Sequence, residues 1–270
     1  MNDFLASMIE RRRARISEEF GSVSLADRER LASCARPVRD FVAALRDRVD
    51  VGVVAEVKKA SPSAGPIAPD CDASKQSLHY QHGGAAAVSV LTEPECFGGS
   101  FTDLSDVADA VEVPVLCKDF VVDPMQLFVA RGHGADAVLL MVSVLGAGVG
   151  EYVDLASTLG LTAVVEVMSE SELPVAIGSA APLILVNSRD LKTLAVDRRG
   201  TLGVVSKAAE GDAAVIAASG IRNRHDVAAA ADAGADAVLV GETLMRSPFP
   251  EDVLEELTGV AKVRTRVHTG

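Results

Sequence analysis

The sequence contains no tryptophan, and aromatic residues make up only 4% of its 270 residues. Because 49% of the residues are nevertheless hydrophobic, we expect a core of aliphatic side chains large enough for one enzyme-sized domain. Long apolar runs are also missing, since no stretch approaches the roughly 20 residues that span a bilayer. The N-terminal segment MNDFLASMIERRRARI is charged throughout and lacks the apolar stretch of a signal peptide. We therefore expect a soluble, cytoplasmic protein.

The sequence also contains few cysteines, and fewer basic than acidic residues. Cys34, Cys71, Cys96 and Cys117 form neither a Cys-x-x-Cys pair nor a Cys/His cluster with metal-site spacing, so we expect reduced thiols and no metal. The 38 Asp and Glu residues outnumber the 26 Lys and Arg residues and give a formal net charge of −12. This balance argues against a surface for nucleic acid or for an anionic membrane, but it is compatible with a local cationic pocket.

Internal repetition is the strongest organising feature of the chain. The segments GGAAAVSVL (83–91), GADAVLLMV (134–142) and GADAVLVGE (234–242) are near copies, each preceded by a helix-like stretch. Their spacings of about 50 and 100 residues correspond to two and four βα units. With the apolar runs between them, they predict eight strands, at 51–57, 86–91, 113–119, 137–142, 161–167, 183–187, 213–218 and 236–241.

Eight strands that alternate with helical segments predict an α/β fold, a (β/α)8 TIM barrel. An open, doubly wound sheet would show a similar alternation, although the number of repeats favours closure. Residues 1–48 read as helices before the first strand, and we expect an N-terminal helical extension that caps the barrel. The barrel itself is expected over 49–265, as the catalytic part of a single domain.

Four of the predicted strands end on residues that can hold charge or move protons. VVAEVKK reaches Glu56 and Lys58, VPVLCKD reaches Lys118, AVVEV reaches Glu166 and LILVN reaches Asn187. Side chains at the C-terminal ends of barrel strands converge on one mouth, so we expect a pocket suited to acid–base chemistry.

A purely structural alternative exists for these charges. Glu56 and Lys58 are two residues apart on one strand and point to the same side, as a buried ion pair would. Lys118 and Asp119 are also compatible with a solvated strand end.

Glycines and serines after three strands indicate a phosphate site. The segments are KKASPSAG after the first strand, ASGIRN after the seventh and VGETLMRSP after the eighth. Gly220 and Gly241 each precede a predicted helix start, whose free N–H groups favour an anion, and Ser61 and Ser219 add hydroxyl groups. The loops after the seventh and eighth strands are a frequent phosphate site in such barrels. Tight turns alone are the alternative explanation for the glycines.

The chain resembles the indole-3-glycerol phosphate synthase family in seven segments that occur in order over residues 55–246. They are AEVKKASPSAG, SVLTEPECFGGS, VLCKDFVVDPMQ, VVEVMSE, LVNSRDLKT, ASGI and VGETLMR. The resemblance implies a carboxy-lyase of tryptophan biosynthesis. Its reaction closes the ring of 1-(2-carboxyphenylamino)-1-deoxyribulose 5-phosphate, with loss of carbon dioxide and water. It also implies no metal or organic cofactor, a small phosphorylated substrate, and transient contact with other enzymes of the pathway, while the oligomeric state stays open.

The resemblance implies a role for each residue at the strand ends. Lys118 and Lys58 stabilise or protonate the ketone oxygen and assist the later loss of the hydroxyl group, and which lysine acts in which step is left open. Lys58 is also placed to hold the substrate carboxylate. Glu166 is the implied general base, Glu56 orients the lysines and the substrate, and Asn187 hydrogen-bonds polar groups of the substrate.

Further residues are implied to complete the catalytic set or to bind the substrate. Ser219 joins the catalytic set, and the binding residues are Ser61, Phe97, Phe120, Leu139, Arg189, Gly220, Gly241 and Glu242. Ordinary packing is the alternative for the two phenylalanines, and a pairing with a neighbouring carboxylate is the alternative for Arg189.

One residue departs from the family pattern. Many members have a glutamate directly before the SGI segment, where this chain has Ala218. Losing that carboxylate would alter lysine pKa values. The functional alternatives are therefore an isomerase similar to phosphoribosylanthranilate isomerase, which would need a carboxylate or cysteine pair in place of the lysines, and a non-catalytic phosphosugar-binding barrel.

Overall fold

Eight parallel strands close into a barrel in the computed structural model, which describes residues 3–33, 35–187 and 198–263. The strands are β1 (Gly52–Val57), β2 (Ala87–Leu91), β3 (Val115–Lys118), β4 (Ala137–Met141), β5 (Thr162–Val167), β6 (Leu183–Asn187), β7 (Ala214–Ala218) and β8 (Ala237–Val240). Each strand pairs with its neighbours in sequence, and β8 pairs with β1. The predicted (β/α)8 TIM barrel is confirmed, and the open sheet is excluded.

Helices precede β1 and then alternate with the strands. The three that precede β1 are α1 (Asp3–Phe20), α2 (Leu25–Ser33) and α3 (Phe41–Arg46). The others are α4 (Ala73–His82), α5 (Pro94–Phe97), α6 (Phe101–Ala110), α7 (Met125–Gly132), α8 (Val142–Leu145), α9 (Val149–Thr158), α10 (Leu173–Gly178), α11 (Arg198–Ala209), α12 (Arg224–Asp232), α13 (Glu242–Met245) and α14 (Pro250–Leu257). None of the helices in the described residues is long and apolar enough to cross a membrane.

Short elements add detail that the sequence patterns do not predict. Single 3₁₀ turns span Gly146–Gly148 and Glu170–Glu172. A small antiparallel hairpin pairs Ala60–Ser61 with Gly65–Pro66 in the loop after β1. This hairpin gives the loop a fixed shape close to the barrel mouth.

β3 is shorter than the predicted segment 113–119. Pro114 has no N–H group to give to a strand ladder. The amides of Glu112 and Val113 donate instead to the side-chain oxygen of Gln81, at 2.6 and 3.2 Å. Regular pairing therefore begins only at Val115.

The period of two along each strand decides which side chains reach the mouth. In four strands the residue two positions before the predicted functional residue packs inside the barrel, and these residues are Val54, Leu116, Val164 and Leu185. Successive strand side chains point to opposite faces, so residues two apart share a face. The four functional side chains therefore also point inward, one layer nearer to the C-terminal mouth.

The helices before β1 contact both ends of the barrel interior. Phe41 and Leu45 of α3 are fully buried, and Leu45 lies beside Gly52 at the start of β1. Met8 of α1 belongs to the same interior cluster, which at the mouth includes Phe120. Thus α3 closes the end opposite the mouth, and α1 packs at the mouth itself.

The three cysteines within the described residues are free thiols. Cys71, Cys96 and Cys117 are free, as expected, and Cys34 lies outside the described residues. Burial raises the pKa of Cys117 to about 12, so this thiol stays protonated.

Two buried aspartates in the GADAVL repeats hold equivalent places half a barrel apart. Asp136, before β4, accepts a hydrogen bond from the Val115 amide at 2.7 Å, and Asp236, before β8, accepts one from the Val215 amide at 2.9 Å. Each carboxylate therefore joins the start of its strand to the strand before it. Arg36 pairs with Asp136 at 2.9 Å, which attaches the segment before β1 to the barrel.

A buried ion pair attaches α1 to the mouth. Arg12 donates two hydrogen bonds to Asp119, from Nε to Oδ1 at 2.9 Å and from Nη2 to Oδ2 at 2.5 Å. Both side chains are almost completely buried, and Thr92 donates to the same carboxylate at 2.6 Å. The alternative of a solvated strand end at Asp119 is therefore wrong, because helix α1 covers this end of β3.

We expect Arg12→Leu to lower the free energy of unfolding by about 3–5 kcal/mol, because it leaves the Asp119 carboxylate buried without a countercharge. Denaturant unfolding measures the change. Combining it with Asp119→Leu should recover much of the loss. The control Arg15→Leu removes an exposed pair with Glu19 at 2.8 Å and should change stability by less than about 0.5 kcal/mol. Equal losses in both single variants would contradict the buried pair.

Candidate active site

A cavity of about 470 Å³ opens at the C-terminal ends of the strands. Every catalytic or binding residue predicted from the sequence lines it, except Arg189, which lies outside the described residues. A cavity of this size accommodates a small phosphorylated molecule. Among the residues that the structure describes, no group of three or more His, Cys, Asp or Glu side chains could hold a metal ion.

One carboxylate organises the cationic side of the cavity. Glu56 Oε2 lies 2.8 Å from Lys58 Nζ, and Glu56 Oε1 lies 4.0 Å from Lys118 Nζ. The Glu56 side chain is 4% exposed and each lysine side chain 17% exposed. The two ammonium groups therefore share a buried anion while still reaching the cavity. Glu56 and Lys58 do form the ion pair of the structural alternative. Because both side chains also line the cavity, the same contact is compatible with the catalytic interpretation.

A hydrogen-bonded chain lies across the cavity from this cluster. Ser219 Oγ donates to Asn187 Oδ1 at 2.7 Å, and Asn187 Nδ2 donates to Glu166 Oε1 at 3.3 Å. Because Asn187 Oδ1 accepts the hydrogen bond from Ser219, the Nδ2 group of Asn187 faces Glu166. Ser219 has a φ of 69°, a backbone conformation that residues other than glycine rarely adopt. This strained backbone conformation places the Ser219 hydroxyl where it can orient Asn187.

Glu166 is an almost completely buried ionisable group of the cavity, with 2% of its surface exposed. Burial raises the pKa of its carboxyl above the ordinary value, while the charge of Lys118 and the hydrogen bond from Asn187 act in the opposite direction. Its second oxygen, Oε2, has no hydrogen-bond partner among the described residues. Glu166 is therefore available to accept a proton at a pH closer to neutrality than an exposed glutamate.

Apolar side chains from β4 and from the loops after β2 and β3 form another wall of the cavity. The rings of Phe97 and Phe120 lie 6.2 Å apart at an angle of 48°. Leu139 of β4 is buried beneath the cavity, and Phe120 is buried at its edge. A flat aromatic group fits against such a wall. The packing alternative for the two phenylalanines holds only in part, because both rings pack together and also line the cavity.

The loops after β7 and β8 meet at the end of the cavity next to Lys58. Gly220 has a φ of 76°, and Gly241 precedes the single turn of α13 directly. Thr243 donates to the Ile221 carbonyl at 2.9 Å and thereby joins the two loops. A helix follows Gly241 at once but begins only at Arg224 after Gly220, so the expected helix start holds for Gly241 alone.

Ser61 and Glu242 lie beside these loops. Ser61 belongs to the hairpin after β1 and is buried, and its hydroxyl accepts from the Ala64 amide at 3.2 Å. Glu242 forms an ion pair with Arg246 at 2.9 Å. The pairing compensates a carboxylate that would otherwise repel an anion at this end of the cavity.

Comparison with known proteins gives a consistent result. The family model for indole-3-glycerol phosphate synthase matches residues 5–257. The chain is 44% identical over 259 residues to indole-3-glycerol phosphate synthase 1 of Streptomyces coelicolor, covering 96% of each chain. It is 45% identical over 254 residues to the indole-3-glycerol phosphate synthase of Mycobacterium tuberculosis H37Rv, covering 94% of this chain and 93% of the relative. The chain belongs to the indole-3-glycerol phosphate synthase family.

The fold extends beyond that family. Thiamine phosphate pyrophosphorylase from Pyrococcus furiosus superposes with a TM-score of 0.58 over 79% of this chain and 95% of its own, at 17% identity. This likeness shows the barrel fold alone. The resemblance inferred from the seven sequence segments is thus confirmed as membership of the indole-3-glycerol phosphate synthase family.

Sequence reasoning missed several residues at this indole-3-glycerol phosphate synthase site. Glu93, Arg222 and Arg246 line the cavity, and Asp119 anchors α1 beside Lys118. Glu93 could have been found, because an acidic residue followed by proline is a frequent helix start. No local pattern links Asp119 to Arg12, which is 107 residues away.

A second constraint on Gly241 is independent of any phosphate. A Cβ atom at this position would lie 2.3 Å from Glu56 Oε2 and 3.0 Å from Lys58 Nζ. The φ of Gly241 is −117°, so backbone conformation does not require glycine here. A side chain at this position would displace the Glu56 carboxylate and the lysine before it met a bound phosphate.

Gly241→Ala should therefore lower kcat by between about 10- and 100-fold, besides raising KM, because it displaces the charge cluster by a fraction of an ångström or more. Steady-state kinetics measures both constants. Gly150→Ala is the matched control, since no atom lies within 4 Å of a Cβ there among the described residues. A purely KM effect of Gly241→Ala would contradict this account.

Ser219→Ala should move the acidic limb of the kcat/KM profile to higher pH, by up to about one unit. The Asn187 amide then loses the hydrogen bond that orients it, which weakens its donation to Glu166, and because that donation favours the charged form, the Glu166 pKa rises. Because the base must be ionised, activity is lost at a higher pH as the solution is acidified. Ser63→Ala, which removes another cavity serine, should leave the limb unmoved. An unshifted limb in Ser219→Ala would exclude the hydrogen-bonded chain.

Proposed function

We propose that this chain closes the indole ring of 1-(2-carboxyphenylamino)-1-deoxyribulose 5-phosphate, with loss of carbon dioxide and water, to give indole-3-glycerol phosphate. Its family and its named relatives support this activity. The observation that links the activity to the site is a cavity where two lysines share Glu56 and face the buried base Glu166. The reaction needs both an acid and a base, and the site offers them on opposite sides.

The first step forms a carbon–carbon bond. The ring carbon that bears the carboxylate attacks the ketone carbon, and the carbonyl electrons move to oxygen. An ammonium group beside this oxygen stabilises the charge and supplies the proton. Lys118 and Lys58 are the proposed donors, because Glu56 holds both side chains at the cavity.

The second step removes the carboxylate as carbon dioxide. The bonding electrons return to the ring, which restores its aromaticity. Before this step Lys58 would pair with the substrate carboxylate, and afterwards with the remaining anions of the site. The apolar wall of Phe97, Phe120 and Leu139 would hold the ring in the orientation that keeps the breaking bond outside the ring plane.

The last step is dehydration. The hydroxyl group leaves with a proton from a lysine, and the proton on the adjacent carbon passes to Glu166 as the indole double bond forms. The raised pKa of Glu166 makes it a stronger base than an exposed glutamate. Asn187 would keep the accepting carboxylate oriented, and Ser219 would act through Asn187.

The phosphate is proposed to bind between the loops after β7 and β8. Gly220 and Gly241 would present backbone N–H groups, and Ser61 would add a hydroxyl group. Lys58, beside Gly241, would supply positive charge. Arg222 and Arg246 at the rim would reduce the repulsion between the dianion and this acidic protein.

Neither alternative function is favoured by the site. An isomerase would need a carboxylate or cysteine pair in place of Lys58 and Lys118, and the family membership supports the lyase. Ala218 lines the cavity and is buried, so the carboxylate common at this position is absent here. The acid and base groups of the proposed mechanism do not include that position. The cytoplasmic location, the contacts with other pathway enzymes and the extent of the N-terminal extension stay predictions.

The decisive experiment follows indole fluorescence after the purified protein is mixed with the anthranilate-derived substrate. We expect product from the wild type and a kcat lower by at least about 100-fold in Lys118→Met, because an acid–base group typically contributes 10²–10⁴-fold. Lys75→Met, which alters a lysine that is 78% exposed on α4, should retain full activity. An inactive wild type would refute the function, and an active Lys118→Met would remove that lysine from the mechanism.

A further inference from the structure

We propose that Glu93 is a positioning residue that fixes Phe97 in the aromatic wall of the cavity. This inference rests on the proposed function, in which that wall receives the aromatic ring of the substrate. Glu93 lies two residues after the end of β2 and is 4% exposed. It lines the cavity, yet its carboxylate is directed into the backbone of α5.

A single side chain supplies the hydrogen-bond acceptors for the whole of α5. The helix has four residues, and the first, Pro94, has no N–H group. The remaining three amides all donate to Glu93, from Glu95 to Oε1 at 2.9 Å, from Cys96 to Oε2 at 2.7 Å and from Phe97 to Oε2 at 3.2 Å. A helix this short has no stability of its own. Its conformation therefore depends on this carboxylate.

The backbone around α5 closes the same turn. The Gly99 amide donates to the Glu93 carbonyl at 3.0 Å. Gly98 ends the helix with a φ of 66°, which glycine adopts without strain. A Cβ at Gly99 would lie 2.0 Å from the Leu91 carbonyl oxygen, so this glycine permits the loop to return against β2. The loop is thus closed at both ends, and the Glu93 side chain fills its centre.

The position of the Phe97 ring follows from this arrangement. Phe97 is the last residue of α5, its amide is one of the three that Glu93 holds, and its ring packs beside Phe120. Phe120 is held by a different loop, so only the Phe97 half of the wall depends on Glu93. A fixed ring spares the ligand the entropy of ordering it. Glu93 therefore increases affinity for the aromatic part of the substrate without touching the reacting atoms.

Glu93→Gln tests this inference, since it keeps the size of the side chain but replaces one acceptor oxygen with an NH₂ group. We expect KM to rise by about tenfold and kcat to stay within about twofold of the wild type. Asp40→Asn is the matched control. It makes the same carboxylate-to-amide change at the N-cap of α3, where Asp40 accepts from the Ala43 amide at 2.9 Å, at the end of the barrel opposite the mouth. It should leave both constants unchanged.

A double-mutant cycle separates positioning from general loss of structure. In a Phe97→Ala background, Glu93→Gln should change KM by less than about twofold, because the ring it positions is gone. A tenfold effect that persists in this background, or a fall in kcat at unchanged KM, would overturn the inference.

Hydrogen exchange tests the same contact without any substrate. The amides of residues 95–97 should exchange faster in Glu93→Gln than in the wild type, while those of α3 should not. Unchanged exchange at 95–97 would refute the role of Glu93 whether or not the protein makes indole. Absence of product from the wild type, together with faster exchange in the variant, would refute the function alone.

Discussion

The Glu56 carboxylate is the contact on which the site depends. Two unit charges 4 Å apart interact by about 4 kcal/mol near a protein surface, so two half-buried ammonium groups need an anion between them. Glu56 supplies it to Lys58 and Lys118. The three side chains come from β1, its C-terminal loop and β3, whose inward-facing residues converge because the sheet curves into a barrel. This placement also needs a glycine directly after β8, since any Cβ at Gly241 would meet Glu56.

Opposing electrostatic environments across one cavity separate the acid from the base. On one side, Lys58 and Lys118 lie beside the buried Glu56 carboxylate. On the other, Glu166 lies in a nearly dry environment in which burial favours its protonated form. The charge of Lys118 limits that effect, although no ion pair with Glu166 is present among the described residues. A ligand that enters between them therefore meets a donor of protons on one face and an acceptor on the other.

Much of this arrangement could be predicted from the sequence. Alternation of strands and helices, and a charged residue two positions after an interior one, are local patterns with a direct geometric meaning. They place Glu56, Lys118 and Glu166 in one mouth without any knowledge of distant contacts. Exact strand ends were less predictable, as at β3, where Pro114 has no amide to pair and Gln81 captures those of the two residues before it.

Other features have no local signature. The pair between Arg12 and Asp119 joins residues 107 positions apart, and an arginine in the run ERRRAR does not reveal which member is buried. The reason for glycine at 241 depends on a side chain from the first strand. Glu93 is intermediate, because the Glu-Pro sequence predicts a helix start but not that one carboxylate holds every amide of the turn.

Ser219 shows how the demands of folding and of chemistry differ at a single position. Its φ of 69° is one that glycine adopts freely and that costs a serine on the order of 1 kcal/mol. If the turn after β7 were the only demand, glycine would suit position 219 better than serine. The next residue, which also has a positive φ, is indeed a glycine, Gly220. The hydroxyl that orients Asn187 is what glycine cannot provide. In the proposed mechanism the benefit of this strained residue appears only during turnover, so a search for more stable variants would tend to select against it.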